Sequence, residues 1–163
     1  MSELKSEVGA FKIGLQLFTS AGPSFVRELC EWGVKVFLDL KFHDIPNTVA
    51  KAGVEAAKLG VWMFNVHALG GSEMMRRTVA EVNEACLKAT IDRPKIIGVT
   101  VLTSADRSTL DEVGIEREVD EEVLKLARLT AECSLDGVVA SPHEVAGIRG
   151  RSEERRVGKE CRL

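Results

Sequence analysis

No apolar run in this chain approaches the ~18 residues that a membrane-spanning helix needs, and the opening MSELKSEV lacks the basic-then-apolar order of a secretory signal. Cysteine is scarce and scattered. Cys30, Cys86, Cys133 and Cys161 show no C-x-x-C spacing, and three of them fall in helix-like segments. That pattern suits packing thiols in a reducing compartment, so a cytoplasmic location is expected, and it speaks against a disulfide framework. No spacing of His, Asp and Glu makes a metal site. No Gly-rich fingerprint follows the first apolar run, which weakens a dinucleotide-binding reading. Excess positive charge is missing too: the net charge is −3, so nothing suggests a nucleic-acid surface.

What remains is a chain of 163 residues, 45% hydrophobic and 29% charged, which is the make-up of one globular domain. Its rhythm repeats: helix, glycine, apolar strand, loop, helix. EWGVKVF and KLGVWMF show it almost verbatim. Strands are expected over 11–18, 34–41, 61–68, 95–102 and 137–140. Helices are expected from Pro23 to Gly33, with Phe25, Val26, Leu29 and Cys30 inward, and over 46–59. A third runs from an N-cap at Ser72 to about Lys88, a short one near 108–113, and a fifth over 119–133 with Val123, Leu124, Ala127 and Ala131 inward. Another begins at Pro142. Strands rich in Val, Ile and Phe without clean alternation are buried on both faces, as in a parallel sheet. The fold class is therefore α/β. An open doubly wound sheet and a (β/α)8 barrel both fit that pattern.

The stretch VFLDLKFHDIPNT, residues 36–48, carries the chemistry. Asp39 and Lys41 stand at i and i+2 of a strand, so they point the same way. Asp44 lies three residues on, past the strand end, and Pro46 suits the first turn of the next helix. Taken alone, D-x-K-x-x-D is more often an ordinary ion pair at a solvated strand end. A lysine inside an apolar strand, such as Lys12, either snorkels or wants an anionic neighbour. Asn65 and His67 share one face of NVHA and read as packing or supporting residues. His43 reads as a solvated loop residue, His143 as a helix-start residue, and Met74 and Met75 as helix residues.

The whole thirteen-residue string resembles the signature of the orotidine 5'-phosphate decarboxylase family, in which an apolar run leads into D-x-K-x-x-D-I-P-x-T. Asp39, Lys41, Asp44, Ile45, Pro46 and Thr48 fill it. The resemblance runs from about Phe11 to Arg149 and decides for the barrel, of which it implies an incomplete version: about five strands, family strands 2–6. It implies a charged tetrad of Lys12, Asp39, Lys41 and Asp44. It also implies a cofactor-independent conversion of orotidine 5'-phosphate to UMP, with Lys41 protonating C6 and Thr103 contacting the pyrimidine. Asp44, Ile45 and Thr48 would complete the neighbouring site of a homodimer. The family's phosphate-gripping residues would lie outside this chain, so the 163-residue polypeptide is expected to be inactive alone. Two alternatives stand beside this reading. One is a Mg2+-dependent sugar-phosphate decarboxylase or aldolase of the same superfamily. The other is a non-catalytic truncated remnant.

The domain is expected to end near residue 150. Beyond it RSEERRVGKECRL has eight charged residues in thirteen and cannot be a barrel strand. It resembles a translated sequencing adapter and is expected to be a non-native tail.

Overall fold

The computed structural model describes residues 7–141 together with Glu144, Gly147 and Ile148. Pro142 and His143, where a helix is expected to begin, and the tail over 151–163 lie outside the described residues. Five strands alternate with helices: β1 (Phe11–Gly14), α1 (Leu15–Glu31), β2 (Val36–Phe42), α2 (Pro46–Lys58), β3 (Met63–His67), a single 3-10 turn (Ala68–Gly70), α3 (Gly71–Ala89), β4 (Lys95–Val99), α4 (Arg107–Glu112), α5 (Val119–Glu132) and β5 (Gly137–Val139).

All four strand pairings are parallel, and the spatial order is β1-β2-β3-β4-β5. A doubly wound sheet reverses its order at a switch point. This sheet never reverses, so each strand adds to the same growing edge, as in a barrel wall. Right-handed crossovers then place every helix on the same side. The described residues thus form five consecutive strands of a (β/α)8 barrel, with the helices that connect them.

The core lies between sheet and helices. Ile13, Leu38, Phe64 and Ile96 stand in register across four strands. None is more than 1% exposed. Each such side chain contributes roughly 1.5–3 kcal/mol by leaving water. α2 and α3 seal this face where Gly53 comes down on Phe64, Thr78 and Val82. The opposite face carries the alternate residues, among them Lys12, Phe37, Asp39, Asn65 and His67.

Several local expectations are corrected. FKIGLQLF is a strand only to Gly14; Leu15 opens a helix, with Leu15 and Leu17 62% and 41% exposed. A continuous apolar run does not distinguish a strand from a helix start. The residues between the expected strand and the expected helix, 19–22, are helical up to Gly22. There φ of 73° breaks the helix before Pro23 starts its second segment. Ser72 is not an N-cap: α3 starts at Gly71, and no side chain caps it. On α5 the inward face is Glu122, Val123, Leu126, Ala127 and Thr130, not Leu124 and Ala131. Thr130 packs so close to the sheet that a Cβ on Gly98 of β4 would meet its Oγ1 at 2.6 Å.

Candidate active site

Three of the four expected tetrad residues meet on the sheet face away from the helices. The Asp39 carboxylate lies 2.7 Å from the Lys41 ammonium through Oδ1 and 3.3 Å from the Lys12 ammonium through Oδ2. Register explains the meeting. Lys12 and Gly14 of β1 face Phe37 and Asp39 of β2, so Lys12 leans along its strand toward Asp39. Gly14 leaves it room, since a Cβ there would stand 3.2 Å from the Lys12 ammonium.

Asn65 completes the cluster. Its Nδ2 donates to Asp39 Oδ1 at 2.7 Å, and its Oδ1 accepts the Lys41 backbone N–H at 2.8 Å. It is 1% exposed, so both ends of its carboxamide need partners and both have them. Burial pushes the Asp39 carboxyl up. Hydrogen bonds from Lys41, Asn65 and Lys12, with the charge of Lys41, outweigh that and hold it below its ordinary value. Asp39 is thus an anion clasped by two cations and an amide.

The backbone at Lys41 is unusual. Its φ is +53°, left-handed for a residue with a Cβ. The β2–β3 ladder slips at this point: β2 takes four residues from Leu38 to Phe42, while β3 takes two from Phe64 to Val66. Such bulges re-aim a side chain at the rim of a barrel. Here the bulge turns the Lys41 N–H out of the ladder and onto Asn65.

The other expected residues do not join this cluster. Asp44 is exposed, and its carboxylate accepts the Ile45 N–H at 2.6 Å; among the described residues no ion pair links it to Lys12 or Lys41. Ile45 is 66% exposed and caps α2, whose Pro46 stands in the first turn; Thr48 is exposed two residues on. Thr103 is exposed in the loop after β4. That loop is pinned at its far end by Asp106, which caps α4. The Thr109 N–H and the Ser108 and Thr109 hydroxyls hold the Asp106 carboxyl at about 2.

His67, at the end of β3, is half-buried. Its ring lies 5.2 Å from that of His43, and its buried Nδ1 has no hydrogen-bond partner among the described residues. Burial, then the charges of His43 and Lys41, push its pKa below the usual value. No three His, Cys, Asp or Glu side chains converge on a metal position among the described residues. No helix there is long and apolar enough to cross a membrane.

A model of the orotidine 5'-phosphate decarboxylase / HUMPS family matches residues 1–161. The chain belongs to that family. Among curated relatives, the orotidine 5'-phosphate decarboxylase of Geobacter sulfurreducens is 54% identical over 146 residues, covering 90% of this chain and 60% of its own length. That of Syntrophotalea carbinolica is 56% identical with the same coverage. The crystal structure of orotidine 5'-phosphate decarboxylase from Lactobacillus acidophilus aligns with a TM-score of 0.79 at 40% identity. It covers 85% of this chain and 62% of that one. An uncharacterized conserved protein from Geobacillus kaustophilus aligns with a TM-score of 0.82 at 43% identity, over 87% and 66%. The chain thus spans about 60% of the length of the curated decarboxylases it matches.

For a member of the orotidine 5'-phosphate decarboxylase / HUMPS family, sequence reasoning undervalued two residues. Asn65 was placed on the right face but not tied to the charges. Its tie depends on a bulge one strand away, which no pattern within NVHA signals. Gly14 carried no signal of its own, because only the register reveals which side chain passes over it.

Proposed function

We propose that the protein decarboxylates orotidine 5'-phosphate to UMP in pyrimidine synthesis, as a cytoplasmic homodimer and without metal or organic cofactor. The observation that carries this reading is the Asp39 carboxylate held between the Lys41 and Lys12 ammonium groups at 2.7 and 3.3 Å. Such a cluster can act on an anionic substrate without help, because the proton donor and the countercharge are already in place.

In the proposed step the C6–carboxylate bond breaks, CO2 leaves, and its electron pair stays on C6. The Lys41 ammonium stabilises that developing charge and delivers its proton to C6. The neutral amine then recovers a proton from water. Asp39 aims the Lys41 ammonium and sits where the substrate carboxylate would press against it. Loss of that carboxylate as neutral CO2 relieves the repulsion. Lys12 keeps Asp39 ionised and, with Asp44, offers hydrogen bonds to ribose hydroxyls. Thr103 reaches the pyrimidine from the loop after β4.

Asp44, Ile45 and Thr48 are exposed in the segment that follows β2. Their exposure supports a role in the neighbouring subunit's site. Mixing a Lys41→Ala subunit with an Asp44→Asn subunit tests this. If each site draws on both chains, the mixture regains activity that neither variant has alone. A mixture as inactive as its components rejects the shared site.

The residues after Asp44 favour this reading over the Mg2+-dependent relatives. Those relatives add acidic groups to hold the ion, whereas here Ile45, Pro46, Asn47 and Thr48 follow. The deciding experiment is a decarboxylation assay with orotidine 5'-phosphate, run on the 163-residue chain and on the protein encoded by the whole source locus. Turnover in the latter supports the reading. Silence there, with turnover of a sugar phosphate in Mg2+, replaces it. Activity is proposed for the longer protein and not for this chain. The segment from residue 151 is proposed to be a non-native addition, and resequencing the locus tests that directly.

A further inference from the structure

The cluster depends on one neutral side chain whose role goes beyond packing. We propose that Asn65 is the positioning residue of this site: its carboxamide fixes the Lys41 backbone and the Asp39 carboxylate together, and so sets where the Lys41 ammonium points. The proposal rests on the decarboxylase reading above.

Three observations converge on it. The side chain is 1% exposed. Its two ends contact the two charged residues that the chemistry uses, at 2.7 and 2.8 Å. Its contact with Lys41 is to the backbone N–H, at the residue whose φ is +53° and where the β2–β3 ladder slips. A left-handed residue in a strand has no ladder partner to hold it, and such strain persists only where the surroundings enforce it. Asn65 supplies the enforcing bond. It also ties the bulge to Asp39, so the backbone and the carboxylate cannot move independently.

Only asparagine meets both demands at this length. Leucine has the same shape but leaves the Lys41 N–H without a partner and Asp39 Oδ1 with the Lys41 ammonium alone. Aspartate keeps the acceptor for Lys41 but turns the donor into a second carboxylate facing Asp39. The charged or titratable groups near position 65 are few. Asp39 and Lys41 lie on β2, Lys12 acts through Asp39, and His67 stands two residues on. The β4 partner of Asn65 is Ile97, which carries no charge.

The test uses the whole enzyme encoded by the source locus, with Asn65→Leu and Asn65→Asp variants. A misaimed ammonium lowers kcat ~10–100-fold while KM changes little, because the error lies at the reacting atom and not in ground-state binding. Asn65→Asp carries a further signature. Its new carboxyl faces a fixed anion, so it is protonated at a higher pH than usual and then donates to Asp39 as the amide did. Its kcat relative to wild type therefore recovers as pH falls from about 8 toward about 5, which a packing role would not produce. Hydrogen exchange at the Lys41 amide gives a readout independent of turnover. Protection there falls ~10-fold or more in Asn65→Leu, while amides of the undisturbed ladder keep theirs.

An active wild type with both variants within twofold in kcat overturns the positioning role alone. If Asn65→Leu does not fold, Asn65→Asp decides through its pH profile, and a flat ratio overturns the proposal. A wild type that does not decarboxylate overturns the functional reading, and the role of Asn65 with it, before any variant is made.

Discussion

Replacing Lys41 by alanine and, separately, by glycine would test whether its backbone is held in the left-handed region. Both changes remove the ammonium, so both should abolish decarboxylation, and both leave Asp39 with Lys12 and Asn65. They differ only at Cα. In an ordinary strand glycine is about 0.5–1 kcal/mol worse than alanine, because it loses more freedom on folding. At a φ of +53° alanine bears an added steric cost of ~1–2 kcal/mol that glycine escapes. The two effects oppose, and the second is larger. Lys41→Gly should therefore be more stable than Lys41→Ala by about 0.5–1 kcal/mol, a rise in Tm of roughly 1–4 °C. Urea unfolding of the two inactive proteins, compared at equal slope, measures the difference. The sign decides: an alanine variant that is the more stable would mean that Lys41 occupies an ordinary extended strand, and the bulge that aims it would be refuted.

Other expectations follow from the same geometry. Asp39→Asn should lower kcat ~10²–10⁴-fold in the decarboxylation assay. Because the Asp39 carboxyl is held below its ordinary value, its stabilising contribution is present above the unfolded pKa of ~3.9 and lost as pH falls through the lower folded value. The stability gap between wild type and Asp39→Asn should thus be flat near neutrality and shrink below about pH 4, as read by denaturation at a series of pH values. Gly14→Ala should displace the Lys12 ammonium by a few tenths of an ångström, changing kcat/KM severalfold with little change in Tm, because the atom in the way is the end of a flexible chain. Gly53→Ala should destabilise by ~1–3 kcal/mol despite its better helix propensity. Its Cβ would meet Phe64 at 3.0 Å and Thr78 and Val82 at 3.1 Å inside the core, and thermal unfolding reads the loss directly.

The fold was largely legible because one signal repeated. Gly33 and Gly60 each close a helix just before an apolar strand, and the apolar runs were long enough to be buried but too short to be helices. Strand period placed Asp39 and Lys41 on one side, whereas their tie to Lys12 came from the family resemblance, since a lysine in an apolar strand either snorkels or wants an anionic neighbour. Local edges were harder. Leu15 and Leu17 extended the apolar run of β1 although neither is buried, so the strand looked twice its length. On α5 the inward face was misplaced because Glu122, 2% exposed, lies inside it, salt-bridged to Arg117 and Lys125. A buried glutamate reads as an outward position until its partners are known. The bulge at Lys41 was illegible altogether. A slip of two residues between neighbouring strands leaves no mark in either one.

The two faces of the sheet divide the labour of β2 residue by residue. Val36 and Leu38 point into the packed layer, while Phe37 and Asp39 point to the side where Lys12 and Asn65 wait. Neighbours in sequence therefore answer to different demands. A scan of all substitutions along this strand would oscillate with a period of two: abundance would collapse at one set of positions, and turnover per folded molecule at the other. The folding layer can drift in sequence without disturbing the reaction, and the reactive layer can be rebuilt for another anion on an unchanged scaffold. Only at Lys41 do the two demands meet in one residue, since its backbone breaks the ladder and its side chain carries the charge.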